Sequence, residues 1–145
     1  MPRSSGPGLR DNPVVRAGSR CHPGRVPPTL LIVDDHAGFR AFARAVLESE
    51  GFDVIGEAAD AASAVTECRR LEPDLVLLDV MLPDGDGFDV CERITGAGTS
   101  GSHVVLTSSR DAAAYADRLA TTSARGFLPK EDLTGAALLA LGGVG

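Results

Sequence analysis

The amino-acid sequence predicts an α/β fold in which a five-stranded parallel sheet is covered by helices on both faces. Two observations lead to this prediction. Five short and almost continuously apolar segments recur from Thr29 onward, and each is followed by a segment with the features of a helix. Strands that are apolar along their whole length are typical of parallel sheets buried between two layers of helices.

The first two strand–helix units follow directly from this alternation. TLLIV, residues 29–33, has the length and composition of a buried strand, and residues 36–50 form an amphipathic pattern that Gly51 ends. A second strand is expected over residues 52–58. The helix after it begins at Asp60, a favourable N-cap residue, and runs to about residue 70.

The other three units are shorter. The third strand is LVLLD, residues 75–79, and a Pro/Gly-rich loop separates it from a helix over 88–95. The remaining expected elements are a strand at 103–107, an alanine-rich helix at 111–122, a strand at 126–129 and a last helix at 133–141. With right-handed crossovers, five such units favour the doubly wound, flavodoxin-like strand order 2-1-3-4-5.

Composition separates an N-terminal tail from one globular domain. Residues 1–28 lack apolar periodicity and are rich in Pro, Gly, Ser and Arg, so we expect a disordered basic tail followed by a single domain over 29–145. The net charge of −6 and the 4% of aromatic residues argue against direct DNA binding and against a base-stacking platform.

Other function classes are excluded in the same way. No apolar run approaches the roughly 18 residues of a membrane span, so no membrane association is expected. The three cysteines form no C-x-x-C pair, which indicates neither a zinc site nor a disulfide framework and fits a reduced, cytoplasmic compartment. The three histidines show no metal-site spacing and are assigned no role. The loop that starts at Asp84 lacks the residues of a calcium-binding loop at its key positions.

Polar residues stand where the predicted strands end. Asp34 and Asp35 follow the first strand, Asp79 ends the third, Thr107 ends the fourth and Lys130 follows the fifth. In a sheet of order 2-1-3-4-5 these positions converge on one edge, where doubly wound folds bind their ligands.

Like charges at close range repel, so at least one of the three converging carboxylates is expected to be pushed toward protonation unless a cation lies among them. Carboxylate oxygens with room for water suit Mg²⁺. Lys130 is the only lysine among 14 basic residues, and it can pair with Asp79 or hold a phosphate oxygen. A carboxylate beside Mg²⁺ and a lysine is equipped to attack a phosphoryl group and form an aspartyl phosphate, which Thr107 could then contact.

The motifs LIVDDH, LVLLDVMLPDGDGFDV, VVLTSS and GFLPK occur in this order, and together they resemble the receiver domain of two-component response regulators over about residues 29–141. The resemblance implies that Asp79 is the phosphoacceptor. It implies that Asp34 and Asp35 position Mg²⁺ together with Asp79, with the backbone carbonyl of Met81 completing the metal site.

The resemblance also implies a switch. Thr107 matches the hydroxyl residue that moves toward the phosphate, Phe127 the aromatic residue that changes rotamer with it, and Lys130 the phosphate-binding lysine. Lys130 is followed by Glu131 where the family usually has proline, a variant similar to that of regulators with a helix-turn-helix output domain. No such domain follows, so the chain is expected to be a stand-alone receiver or a fragment of a longer regulator.

The expected function is therefore phosphoryl acceptance from a histidine kinase or a phosphotransfer protein, with output through a face formed by the fourth helix, fifth strand and fifth helix, which could also form a homodimer. Enzymatic action on an external substrate is not expected, because an aspartate-nucleophile phosphatase would carry a second aspartate where Met81 stands. The alternative is a receiver-like module that binds partners without phosphorylation.

Overall fold

A computed structural model describes residues 27–96 and 101–143. Its main feature is a five-stranded, all-parallel sheet with the strand order 2-1-3-4-5, which confirms the predicted topology. The strands are β1 (Thr29–Val33), β2 (Asp53–Ala58), β3 (Leu75–Asp79), β4 (His103–Ser108) and β5 (Gly126–Pro129). The bounds of β1, β3 and β5 are those expected from the sequence.

Helices connect the strands and cover both faces of the sheet. They are α1 (Ala37–Ser49), α2 (Ala61–Leu71), α3 (Gly87–Gly96), α4 (Ala116–Leu119) and α5 (Gly135–Gly142). Two 3₁₀ turns, Ala112–Tyr115 and Lys130–Asp132, precede α4 and α5. Within the described residues, no helix combines the length and the apolar character that crossing a membrane requires.

The core consists of two layers, one on each face of the sheet. Successive side chains of a strand point to opposite faces, so Leu31 and Val33 pack with the buried side of α2 and α3, whereas Leu30 and Ile32 pack with α1 and α5. β3 lies at the centre of the sheet, and all five of its residues are buried. The apolar run predicted from the sequence thus reflects burial on both faces.

The fourth helix is shorter than the sequence predicted. An alanine-rich helix was expected over 111–122, but the structure has a 3₁₀ turn and a single α-helical turn there, with only Tyr115, Leu119 and Thr122 partly buried in that stretch. Alanine has a high helix propensity but little surface to bury. Short helices without a packed apolar face are marginal, so propensity alone was a poor guide.

Two further local differences concern the start of the last helix and the loop after β3. The last helix begins at Gly135 rather than Leu133, because the Thr134 side chain accepts a hydrogen bond from Ala137 N and caps it. The loop after β3 contains a short antiparallel hairpin whose strands, Met81–Leu82 and Gly85–Asp86, have two residues each. Hydrophobic periodicity over so few residues could not predict it.

Residues 1–26, 97–100 and 144–145 lie outside the described part of the chain. The predicted disorder of the tail therefore stays a prediction.

Candidate functional site

Asp79 is the last residue of the central strand, and its carboxyl group lies at the C-terminal edge of the sheet. The residue is 3% exposed and faces Thr107 in the register of β3 with β4. A cleft of about 280 Å³ opens over it, lined by residues that follow β1, β3, β4 and β5. The buried central strand thus ends on a carboxylate at an edge of the sheet that opens into a cleft.

Lys130 bridges two buried carboxylates. Its Nζ lies 2.6 Å from Asp34 Oδ2 and 3.5 Å from Asp79 Oδ2. The sequence predicted contact with Asp79, and the structure adds a shorter contact with Asp34, which is fully buried. The same ammonium group also lies 4.5 Å from the centre of the Phe39 ring. One cation thus partly neutralises two carboxylates that are in a low-dielectric environment.

The carboxyl group of Asp79 is less acidic than that of an ordinary aspartate. Burial is the main cause, and together with repulsion from Asp34 it raises the pKa of Asp79 from 3.8 to about 6, although Lys130 and the Met81 N–H oppose the shift. The part of the shift that comes from Asp34 shows that Lys130 does not fully offset the repulsion between the two carboxylates. An additional cation would reduce this repulsion.

Four potential ligands for such a cation come together here. Asp34, Asp35, His36 and Asp79 each offer an atom, and these atoms lie within 4.8 Å of one another. The three carboxylates match the oxygen-rich donor set that Mg²⁺ prefers, so the residues present fit this metal. Met81, whose side chain is exposed, lies beside them in the cleft.

Sequence reasoning missed His36. Its Nδ1 lies 3.1 Å from Asp34 Oδ1 and 3.2 Å from Asp35 Oδ1. The histidines were judged by their spacing from one another, whereas the informative signal was that His36 directly follows the two acidic residues.

A second omission is Arg40. Its Nη1 donates to the backbone carbonyl of Asp34 at 2.6 Å, and its Nε donates to Glu57 Oε1 at 2.9 Å. Hydrogen bonds from Arg44 and then Arg40 hold the pKa of Glu57 below its ordinary value despite partial burial. Arg40 thereby ties the acidic residues after β1 to α1 and β2. Nothing in the local sequence links Arg40 to residue 57, so only the fold could show this.

Of the two switch candidates, Thr107 lies opposite Asp79 in the sheet, whereas Phe127 lies on β5 beside Leu106. Thr107 is buried, and its hydroxyl donates to the Leu128 carbonyl on β5 at 2.6 Å. The ring of Phe127 is partly buried and lies 5.8 Å from the ring of Tyr115. The Tyr115 hydroxyl in turn lies 3.0 Å from Ser108 Oγ. In this structure Thr107 therefore bonds to the neighbouring strand.

Gly87 explains how closely the loop returns to β3. Its N–H donates to the Val80 carbonyl at 2.6 Å, and a Cβ atom at this position would collide with the Asp79 carbonyl oxygen. The absence of a side chain lets α3 begin directly against the end of the central strand. Pro83 lines the cleft in the same loop.

Comparison with known proteins gives a consistent result. A model of the response regulator receiver domain matches residues 30–139. A Pseudomonas aeruginosa protein described as a transcriptional regulator is 36% identical over 111 residues, which cover 77% of this chain and 53% of that protein. The matched part of this chain covers between 35% and 53% of the length of that protein and other curated relatives.

Solved structures show the same similarity. The signal receiver domain of a response regulator named NarL from Mycobacterium tuberculosis matches with a TM-score of 0.73 at 29% identity, covering 83% of this chain and 100% of that one. A chain from the CheX–CheY–BeF₃–Mg²⁺ complex of Borrelia burgdorferi matches with a TM-score of 0.68 at 28% identity, covering 80% of this chain and 87% of that one.

Proposed function

Since this chain belongs to the response regulator receiver domain family of two-component systems, we propose that it accepts a phosphoryl group on Asp79. The donor would be a phosphorylated histidine of a histidine kinase or a phosphotransfer protein. The observation that carries the proposal is the buried Asp79 carboxyl group, which opens into the cleft and faces Lys130 Nζ at 3.5 Å.

The chemistry requires an attacking oxygen and compensation of charge. An Asp79 carboxylate oxygen bonds to phosphorus while the P–N bond to the donor imidazole breaks, and the imidazole leaves with the electron pair. Lys130 already lies between Asp34 and Asp79, so it can contact a phosphoryl oxygen without a large movement. Burial of Asp79 leaves little water around the attacking oxygen, which strengthens each electrostatic contact.

The metal ligands would be Asp34, Asp35, Asp79 and the backbone carbonyl of Met81. Bound Mg²⁺ would supply positive charge that offsets the transferred phosphoryl oxygens. The support for these ligands is the convergence of the three carboxylates and the repulsion from Asp34, which after burial is the second cause of the raised pKa of Asp79. Arg40 would keep the segment that bears Asp34 in place through its backbone carbonyl.

Signal output would follow from a change of hydrogen bonding at Thr107. Phosphorylation would draw the Thr107 hydroxyl from the Leu128 carbonyl toward the phosphoryl group, and Phe127 would change its packing against Tyr115. These residues lie beside the face formed by α4, β5 and α5, which would bind a partner or a second copy of the chain. The domain would act as a cytoplasmic signalling module and not as an enzyme on external substrates, with no direct DNA contact of its own.

The test is intact-mass spectrometry of the full chain after incubation with Mg²⁺ and a small-molecule phosphodonor. We expect the gain of one phosphoryl group in the wild-type chain, dependent on Mg²⁺ and absent from Asp79→Asn. Asp84→Asn is the matched control, because Asp84 lies in the same loop but accepts hydrogen bonds from Ala61 N and Ala62 N at the start of α2. A folded wild-type chain that gains no phosphoryl group would contradict the proposal and favour a module that works without phosphorylation.

A further inference from the structure

The imidazole of His36 faces the acidic cluster rather than the helix that it precedes. His36 is the N-cap residue of α1, yet its side chain makes no capping hydrogen bond. Its ring nitrogen Nδ1 instead contacts one carboxylate oxygen of Asp34 and one of Asp35. Its backbone N–H donates to the same Asp34 oxygen at 2.8 Å, which fixes the position of the residue. The His36 imidazole therefore does not cap α1.

The contacts have the length of hydrogen bonds, and the same separations also fit neighbouring ligand atoms on one metal ion. When metal–ligand bonds measure about 2.1 Å in an octahedral site, neighbouring ligand atoms lie about 3 Å apart. His36 Nδ1 lies 3.1 Å from Asp34 Oδ1 and 3.2 Å from Asp35 Oδ1. An ion bound to the Asp35 oxygen would thus have a nitrogen ligand within reach. The side chain is 71% exposed, so ions can enter from the cleft without displacing buried groups.

We propose that His36 is a nitrogen ligand of the metal site, and that its imidazole raises the affinity of the site for a first-row transition dication such as Ni²⁺. The inference rests on the metal site of the proposed function and adds a determinant of metal choice to it. Imidazole suits Ni²⁺, Zn²⁺ and Cu²⁺, whereas Mg²⁺ prefers oxygen ligands and water. His36 would contribute to transition-metal affinity and contribute almost nothing to Mg²⁺ affinity.

The direct test is calorimetric titration of the full chain with Ni²⁺ and separately with Mg²⁺. All variants carry His22→Gln, so that a histidine of the N-terminal region does not contribute. We expect His36→Gln to weaken Ni²⁺ binding about tenfold or more and to change Mg²⁺ binding less than about twofold. Glutamine keeps a polar side chain of similar reach, and the backbone N–H that holds Asp34 is retained.

His103→Gln is the matched control. His103 begins β4 at the opposite edge of the sheet, where its Nδ1 lies 2.7 Å from the Gly142 carbonyl oxygen. This control should bind both ions as the parent does, and Asp79→Asn should weaken both.

Equal Ni²⁺ affinity of the parent and His36→Gln, with Mg²⁺ still bound, would overturn the role of His36 and leave the proposed function intact. Failure of the parent to bind either ion would overturn both the role of His36 and the metal site of the proposed function.

Discussion

Two regions of the domain begin at the same end of the sheet but differ in how they are held. The acceptor edge is formed by Asp34, Asp79 and Lys130, and the β4–β5 connection by residues 109–125. Both aspartates are buried, and the lysine contacts each of them. In the β4–β5 connection no residue is fully buried. It is joined to the rest of the domain through the partly buried ring of Tyr115 and through exposed polar contacts such as Arg118 with Asp86.

The difference matches the two tasks of the proposed function. Phosphoryl transfer needs groups that are already in place, because reorganising charges during the reaction is costly. A change of surface shape needs a segment that can move without breaking the core, and such segments are those with few buried contacts. The acceptor edge has the first property and the β4–β5 connection the second.

The largest effect is expected at Lys130. Replacing its charge in Lys130→Met should slow phosphorylation of Asp79 by about 100-fold or more, because no other cation contacts both buried carboxylates in the described part of the chain. Lys130→Arg keeps the charge and should be less affected. The measurement is the rate of phosphoryl gain by mass spectrometry. A near-normal rate in Lys130→Met would show that the acceptor edge is not preorganised by this lysine.

The next effect concerns the close packing behind the acceptor. Gly87→Ala should lower the free energy of unfolding by about 3 kcal/mol, because its Cβ would collide with the backbone of Asp79 and Val80. Gly38→Ala is the control, since Gly38 lies in α1 with nothing within 4 Å of the added atom, and it should be neutral or slightly stabilising. Urea denaturation measures both. Similar results for the two variants would mean that the acceptor loop adapts easily.

Removing the charge of Asp79 should stabilise the domain in the absence of metal. The folded pKa of about 6 exceeds the ordinary value of 3.8, so ionisation of Asp79 opposes folding. Its protonated form therefore favours the folded state below about pH 4, and this stability is lost as the pH rises through 6. At pH 7.5, Asp79→Asn should increase the free energy of unfolding by about 3 kcal/mol.

The gain in free energy of unfolding from Asp79→Asn should shrink as the pH falls from 6 toward 4. Over this range Asp79 becomes protonated in the folded wild-type domain, so it is neutral there, as asparagine is. Denaturation curves at several pH values, with chelator present, check this. An advantage that does not change with pH would assign the stabilisation to a cause other than charge.

The smallest effect is expected in the β4–β5 connection. Tyr115→Phe removes the contact with Ser108 Oγ but keeps the ring between Phe88 and Phe127, so it should cost about 1 kcal/mol or less. Its phosphorylation rate should stay within about twofold of the wild-type rate, because Tyr115 contacts Ser108, Phe88 and Phe127 and not the acceptor edge. A loss comparable to that of Lys130→Met would contradict the division between the two regions.

Local sequence signals predicted most of the fold. The bounds of β1, β3 and β5 followed from apolar runs, and the strand order followed from the alternation of strands and helices. The α4 region was overestimated, because helix propensity says nothing about whether a face will be covered. The convergence of Asp34, Asp79 and Lys130 on one edge was also predictable, because parallel strands bring their C-terminal ends together.

The sequence alone therefore determined which residue types stand at the end of each strand, since strand length and polarity are local properties. Only the tertiary structure decided how those residues share their contacts. Lys130 lies closer to Asp34 than to Asp79, Arg40 holds the Asp34 carbonyl, and the His36 ring turns toward two carboxylates. These choices depend on the packing of α1 and β5 against the sheet, where a shift of 1 Å changes which pair forms a contact.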